Sequence, residues 1–219
     1  MLNYDYLPLD TKELLLTLRD QKWIEAFTLV GGSALAIQIA HRQSEDLDFV
    51  LDSDCLDLNY IKRSVHKYFT GSYRIIKIDD PYQIDFIIRR VKVTFFSTGA
   101  ISIPFLIKPT AQTDKFLNIA PVETIAVLKM STIAQRNTMR DYYDIYYIAK
   151  YVIPLIEIIE KTKQLLPELA PITYTETLIY TDDIPENSIQ EHLAPKESVT
   201  KIQIAEFFEK ELVRIRDRI

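Results

Sequence analysis

The sequence predicts an α+β protein: a small mixed sheet with flanking helices, followed by a helical half. Three observations predict it. Residues 27–50 read as strand, glycine turn, short helix, loop and strand. Residues 73–97 hold three β-prone segments separated only by turn chemistry. From Pro121 onward, apolar residues recur at helical spacing almost to the end. The boundary falls near Ala120, giving an α/β core over 1–120 and a helical part over 121–219 packed on that core.

Taken in order, Asp10 is placed to cap a helix over Thr11–Gln21, with Glu13 completing a capping-box-like start and Leu14, Leu15 and Leu18 on one stripe. Lys22–Ala26 adds a further helical turn with Trp23 facing inward. Phe27–Val30 is apolar and β-prone. Gly31-Gly32-Ser33 breaks it, and a helix beginning at Ser33 or Ala34 runs to His41. Asp46–Leu51 alternates, so Asp46 and Asp48 share one face of a strand while Leu47 and Phe49 face the other. Asp54 or Asp57 starts a helix through Tyr68 whose Leu58, Ile61, Val65 and Phe69 pack on a sheet. Tyr73–Ile78, Tyr82–Ile88 and Val91–Ser97 read as strands, the last two forming a hairpin across Arg89-Arg90. Ile103–Asn118 reads as loop, with a short strand near Phe116–Ile119. Pro121 begins a helix to Gln135. Further helices cover Arg140–Tyr151, Pro154–Leu166 and Val199–Arg216, with a short helix or strand at Tyr174–Tyr180 and a polar loop over Asp182–Glu197.

The 219 residues suffice for one substantial core. A net charge of −5 argues against wholesale wrapping of nucleic acid but permits a local basic patch. No run reaches the length of a membrane span and no secretory signal opens the chain. The single cysteine, Cys55, excludes an intrachain disulfide, so a cytoplasmic location and no membrane partner are expected.

The chemistry centres on residues 27–50. Two of the four glycines stand side by side there, before a helix N-terminus whose free amides and Ser33 hydroxyl can hold a phosphate. Asp46 and Asp48, two apart on a strand, can share a hard cation, as nucleotidyl transfer requires of Mg²⁺. The alternative is a solvated strand face. The apolar partners Leu47, Phe49 and Val50 imply a half-buried strand, where unliganded Asp is poorly suited. Arg42 either reaches a phosphate, holds Asp46, or simply favours the helix dipole. Farther on, Lys129 emerges from an apolar helix, with Arg136 seven residues later. Arg140 and Asp144, four apart, are spaced to pair, and Asp141 lies three residues from Asp144. Tyr and Ile crowd around them, so these charges stand beside a buried surface rather than on a plain solvated face.

Gly31-Gly32-Ser33-Ala34-Leu35-Ala36, followed by His41-Arg42-x-Ser44-x-Asp46-Leu47-Asp48-Phe49, resembles the first motif of the AbiEii/AbiGii-type toxin family of nucleotidyltransferase-like proteins. Glu123-x-x-Ala126-x-x-Lys129, Arg136 and Arg140-Asp141-x-x-Asp144-Ile145-Tyr146 resemble its later helical motifs, in the same order. The resemblance implies a polymerase-beta-type nucleotidyltransferase fold. It implies NTP and Mg²⁺ held by Asp46 and Asp48, and nucleotide-binding roles for Gly31, Gly32, Ser33, Arg42, Ser44, Arg136 and Arg140. It adds Lys129, Asp141 and Asp144 to the catalytic set. It further implies a toxin of a toxin–antitoxin or phage-defence system that transfers a nucleoside monophosphate to an RNA, such as tRNA, or to a protein hydroxyl, with a cognate antitoxin.

One departure stands out. Where such enzymes carry a third carboxylate, this chain has Thr94, and Asp85 on the preceding strand is the nearest acidic substitute. A weakly active or inactive nucleotide-binding member is therefore an alternative, as is a small-molecule (antibiotic-type) nucleotidyltransferase. A tRNA acceptor would call for a basic face built from Lys62, Arg63, Lys67, Arg89, Arg90 and Lys92.

Overall fold

A computed structural model describes residues 2–101, 112–136, 138–182, 184 and 193–216. The chain forms two compact units, Met1–Pro121 and Val122–Ile219.

The first unit is built on a seven-stranded mixed sheet. Its strands are β1 (Thr28–Val30), β2 (Leu47–Leu51), β3 (Tyr73–Asp79), β4 (Gln83–Ile88), β5 (Val91–Ser97), β6 (Gln112–Asp114) and β7 (Leu117–Ile119). The order across the sheet is β3-β4-β5-β2-β1-β7-β6, with β2–β5 and β1–β7 parallel and the other pairs antiparallel. Three helices belong to this unit: α1 (Leu9–Arg19), α2 (Gly31–Ile39) and α3 (Leu58–Phe69). Alternation sorts the central strands. Leu47 and Phe49, Val93 and Phe95, and Ile84, Phe86 and Ile88 are all buried on one face. Trp23, Phe27, Phe49 and Phe86 gather around Phe95, at 5.5, 5.1, 5.3 and 6.1 Å between ring centroids. The other face carries Asp48, Thr94 and Asp85.

Several boundaries differ from the sequence reading. Helix α1 starts two residues early, behind Pro8, and makes no side-chain cap bond, so Asp10 is its second residue rather than its cap. Proline pre-sets the backbone for a helix start without supplying a side-chain acceptor. The two glycines and Ser33 form the first turn of α2 rather than a turn before it. Asp46 precedes β2 instead of opening it. Asp57 does cap α3, accepting from the Tyr60 amide at 2.8 Å. The expected hairpin is present, with Arg89 and Arg90 both in the left-handed region (φ 48° and 73°), the geometry a two-residue turn needs to match strand twist. β3 carries an irregularity: Ile75 faces Phe86 and Lys77 faces Asp85, leaving Ile76 unpaired. β6 is a strand inside the stretch read as loop; most of the rest of that stretch lies outside the described residues.

The second unit holds α4 (Val122–Ile133), α5 (Met139–Tyr151), α6 (Leu155–Leu165), α7 (Pro171–Ile179) and α8 (Lys201–Ile215). Pro121 stands just before α4 rather than in it. Residues 171–179 are helical, which decides between the two readings of that stretch. α8 begins with a full capping box between Thr200 and Gln203. Its Ile204, Phe208 and Ile215 are buried, whereas Ile202, expected on the same stripe, is exposed. Most of the expected loop over 182–197 lies outside the described residues. No helix among the described residues is long and apolar enough to cross a membrane.

Candidate active site

Strand β1 ends at Val30, and Val30 stands opposite Asp48 in the ladder. The chain then turns directly into α2. Gly31 has φ +71°, a conformation that costs other residues roughly 1–2 kcal/mol. A Cβ on Gly31 would lie 2.8 Å from Asp48 Oδ2. The Asp48 carboxylate therefore rests in the space this glycine leaves open, beside the N-terminus of α2. Gly32 makes a second such space: a Cβ there would meet Ser44 Oγ at 2.7 Å and Arg42 Nη2 at 2.9 Å. The paired glycines thus bring one carboxylate, one hydroxyl and one guanidinium against the first turn of a helix that has no side-chain cap. The leading N–H groups of such a helix have no partners within the helix itself.

The remaining residues of the motif are fixed by their own bonds. Ser33 is buried, and its hydroxyl donates to the main-chain carbonyl of Asp46. That bond ties the loop carrying Asp46 to the helix start. Arg42 is also buried and donates through Nη1 to the Gln43 carbonyl at 2.8 Å. Ala40, at φ 53°, ends α2 and redirects the chain into His41 and Arg42.

The ladder shows where Thr94 and Asp85 stand relative to Asp48. Thr94 is directly opposite Asp48, and Asp85 directly opposite Thr94. Residues facing one another in a ladder share a face. Asp48, Thr94, Asp85 and Lys77 therefore form one row across β2, β5, β4 and β3. At strand spacing, Asp85 lies roughly 10 Å from Asp48 at Cα. It accepts from Gln83 Nε2 at 2.7 Å and pairs with Lys92 Nζ at 3.6 Å. Among the described residues, no group of three His, Cys, Asp or Glu side chains could hold one metal ion. Two carboxylates nonetheless suit Mg²⁺, which is commonly held by one or two carboxylates while substrate phosphates and water complete its shell.

In the second unit, Lys129 is 8% exposed, and its Nζ lies 2.5 Å from Asp141 Oδ1 and 2.7 Å from Asp144 Oδ2. Thr138 caps α5 and donates to Asp141 Oδ2 at 2.6 Å; Arg136 Nε reaches the same oxygen at 3.2 Å. Burial alone would push the Asp141 carboxyl up. The Lys129 ammonium and the hydrogen bonds from Lys129 and Thr138 outweigh burial and hold it below the usual carboxylate range, against the opposing pull of Asp144. The partner that spacing suggested for Asp144 was Arg140; Lys129, from α4, is a partner the spacing did not suggest. Arg140 is exposed, and Arg136 lies beyond the end of α4 rather than on its face. Thr138, read only as an interruption between helices, is the group missed. Its signal is a threonine three residues before an aspartate at a helix start.

The family model described as "Nucleotidyl transferase AbiEii toxin, Type IV TA system" matches residues 13–212. The chain belongs to the AbiEii nucleotidyltransferase toxin family. A protein of Aquifex aeolicus, aq_aa25, is 27% identical over 188 residues, covering 85% of this chain and 86% of that one. Among solved structures, the fold is similar to MenT4, a nucleotidyltransferase toxin from Mycobacterium tuberculosis. The TM-score is 0.57 at 13% identity, over 96% of this chain and 86% of that one. JHP933 from Helicobacter pylori gives a TM-score of 0.50 at 16% identity, over 100% and 97% of the two chains. The expected nucleotidyltransferase fold is thereby found, and with it the transferase character of an AbiEii toxin.

Proposed function

We propose that this AbiEii member transfers a nucleoside monophosphate from an NTP to a hydroxyl of RNA, such as tRNA, or of protein, with Mg²⁺ held by Asp46 and Asp48. One observation carries the reading: the Asp48 carboxylate occupies the space left by Gly31 at the N-terminus of α2, where Val30 supplies no capping side-chain bond. A cation-binding group and a phosphate-binding helix end then meet at one point. The leading amides of α2, with Arg42 and Ser44 behind Gly32, receive the triphosphate, while Ser33 holds Asp46 in place. Mg²⁺ held by Asp46 and Asp48 would supply neutralisation of the phosphate charge. The acceptor oxygen bonds to the α-phosphorus, the bond to the bridging oxygen breaks, pyrophosphate leaves, and the hydroxyl proton passes to solvent. From the family resemblance alone, Lys129, Asp141 and Asp144 are assigned to the catalytic set. Arg136 and Arg140 are assigned to the nucleotide, and a cognate antitoxin is assigned from the family.

The test incubates the protein with radiolabelled NTPs, Mg²⁺ and either total tRNA or total protein. Label should pass to one acceptor and be lost in Asp48→Ala. A second reading, nucleotide binding without transfer, is favoured by Thr94 standing opposite Asp48. Retained NTP binding with no labelled acceptor would select it.

A further inference from the structure

We propose that the corner formed by α3, β3 and the β4–β5 turn is a docking surface for the phosphate backbone of RNA. It rests on the transfer reading above and favours RNA over protein as acceptor. Between Leu58 and Ile78 the chain has no Asp or Glu. Lys62, Arg63 and Lys67 lie on α3, Arg74 and Lys77 on β3, and Arg89 on the turn. None of these six has a carboxylate partner among the described residues, although the protein carries a net charge of −5. Elsewhere in the first unit, Lys12, Arg19, Arg90, Lys92 and Lys115 are each paired, whereas Lys22 is in no ion pair among the described residues. Two of the residues that sequence spacing suggested for such a face, Arg90 and Lys92, are thus neutralised by Asp10 and Asp85. Arg74 and Lys77 are the pair the fold adds.

The elements that carry the six adjoin: α3 packs on β3, and β3 pairs with β4, which leads into the turn. Arg89 lies 5.5 Å from the Phe69 ring and its amide donates to the Ser72 carbonyl; the His66 ring meets Tyr73. Tyr73 packs on Phe86, so α3 covers the apolar face of the sheet. The β3 irregularity decides the rest. Arg74 opposes Ile87 and Lys77 opposes Asp85, so both point to the face bearing Asp48, though three residues apart in sequence. The cations therefore wrap the free edge of the sheet, from the helix layer to the face of the proposed active site. Exposed Tyr60 and Tyr68 stand among them, with Lys67 Nζ 5.0 Å from the Tyr68 ring, the mixture of cations and aromatic surface that suits a strand of nucleotides. Cations on an edge strand also deter sheet-to-sheet pairing, but that role does not extend to the three on α3.

The experiment measures binding of labelled tRNA to the full chain across a salt series. Lys67→Gln with Lys77→Gln and Arg89→Gln should lower affinity at least tenfold at about 0.1 M salt and flatten the salt slope by roughly two. The matched charge control, Lys12→Gln with Lys92→Gln and Lys115→Gln, should change affinity less than threefold. Equal loss in both triples would overturn the surface. So would unchanged binding in the corner triple, or tighter binding to phosphatidylserine vesicles or polyglutamate than to tRNA. Mg-NTP binding, measured in parallel, separates the two proposals. Its absence in the wild type with the corner effect intact would sink the transfer reading alone. Thermal melts verify that both triples remain folded.

Discussion

At Gly31 and Gly32 the missing side chains are the functional feature. Gly31→Ala must accommodate both a left-handed backbone and a methyl group 2.8 Å from Asp48 Oδ2. Gly32→Ala avoids the backbone penalty but pushes on Ser44 and Arg42. We expect both variants to fold and both to weaken Mg-NTP binding at least tenfold in calorimetry, since Asp48 or Arg42 is displaced from the helix end. Unchanged affinity would mean that neither close approach matters for nucleotide. Thr94 offers the opposite experiment. Thr94→Asp sets a third carboxylate directly opposite Asp48, and Mn²⁺ binding followed by electron paramagnetic resonance should tighten several-fold. Binding that weakens or stays level would show that Thr94 does not face the cation.

The α4–α5 pair rests on a buried charge cluster. Lys129→Met would take from Asp141 and Asp144 the buried ammonium they share, a loss of about 3–5 kcal/mol in denaturant unfolding. A loss below 1 kcal/mol would mean that water reaches the cluster. The sign of the pH effect follows from the depressed Asp141 carboxyl. Its stabilisation is in full force above the unfolded value, about 3.9, and is lost as pH falls through the lower folded value. Thermal melts of Asp141→Asn should therefore show a shallower dependence on pH below about 4 than those of the wild type. The sequence made the helices, the glycine pair and the two aspartates visible because each is a local pattern. It could not show that Lys129 joins Asp141 to Asp144, because that contact depends on how α4 packs on α5. Nor could it show the faces of Arg74 and Lys77, since simple alternation puts residues three apart on opposite sides. Ser33 was legible as a polar residue at a helix start, but its partner, the Asp46 carbonyl, is set by loop closure across 13 residues.

Across the whole molecule, the two units should answer acid differently. The only tryptophan, Trp23, is buried in the aromatic core of the first unit. The second unit has helices and no strand among its described residues and carries the buried Lys129 cluster. Carboxylates of the first unit that are also held low, Asp20 and Asp114, lie near its surface, where screening weakens them. Acidification should therefore reduce the far-ultraviolet helix signal before Trp23 emission shifts to the red. Coincident transitions would show that the units unfold as one. The family match spans both units, from residue 13 to residue 212.

Ile76 can be viewed as a length change that the sheet has already absorbed. Removing it leaves Arg74 opposite Ile87, Ile75 opposite Phe86, and Lys77 opposite Asp85. No other side chain has to change sides. β3 can thus gain or lose one residue without scrambling its neighbours, a freedom that interior strands such as β2 and β5, paired on both flanks, do not have. Relatives that differ in length by a single residue have a place in this strand to differ.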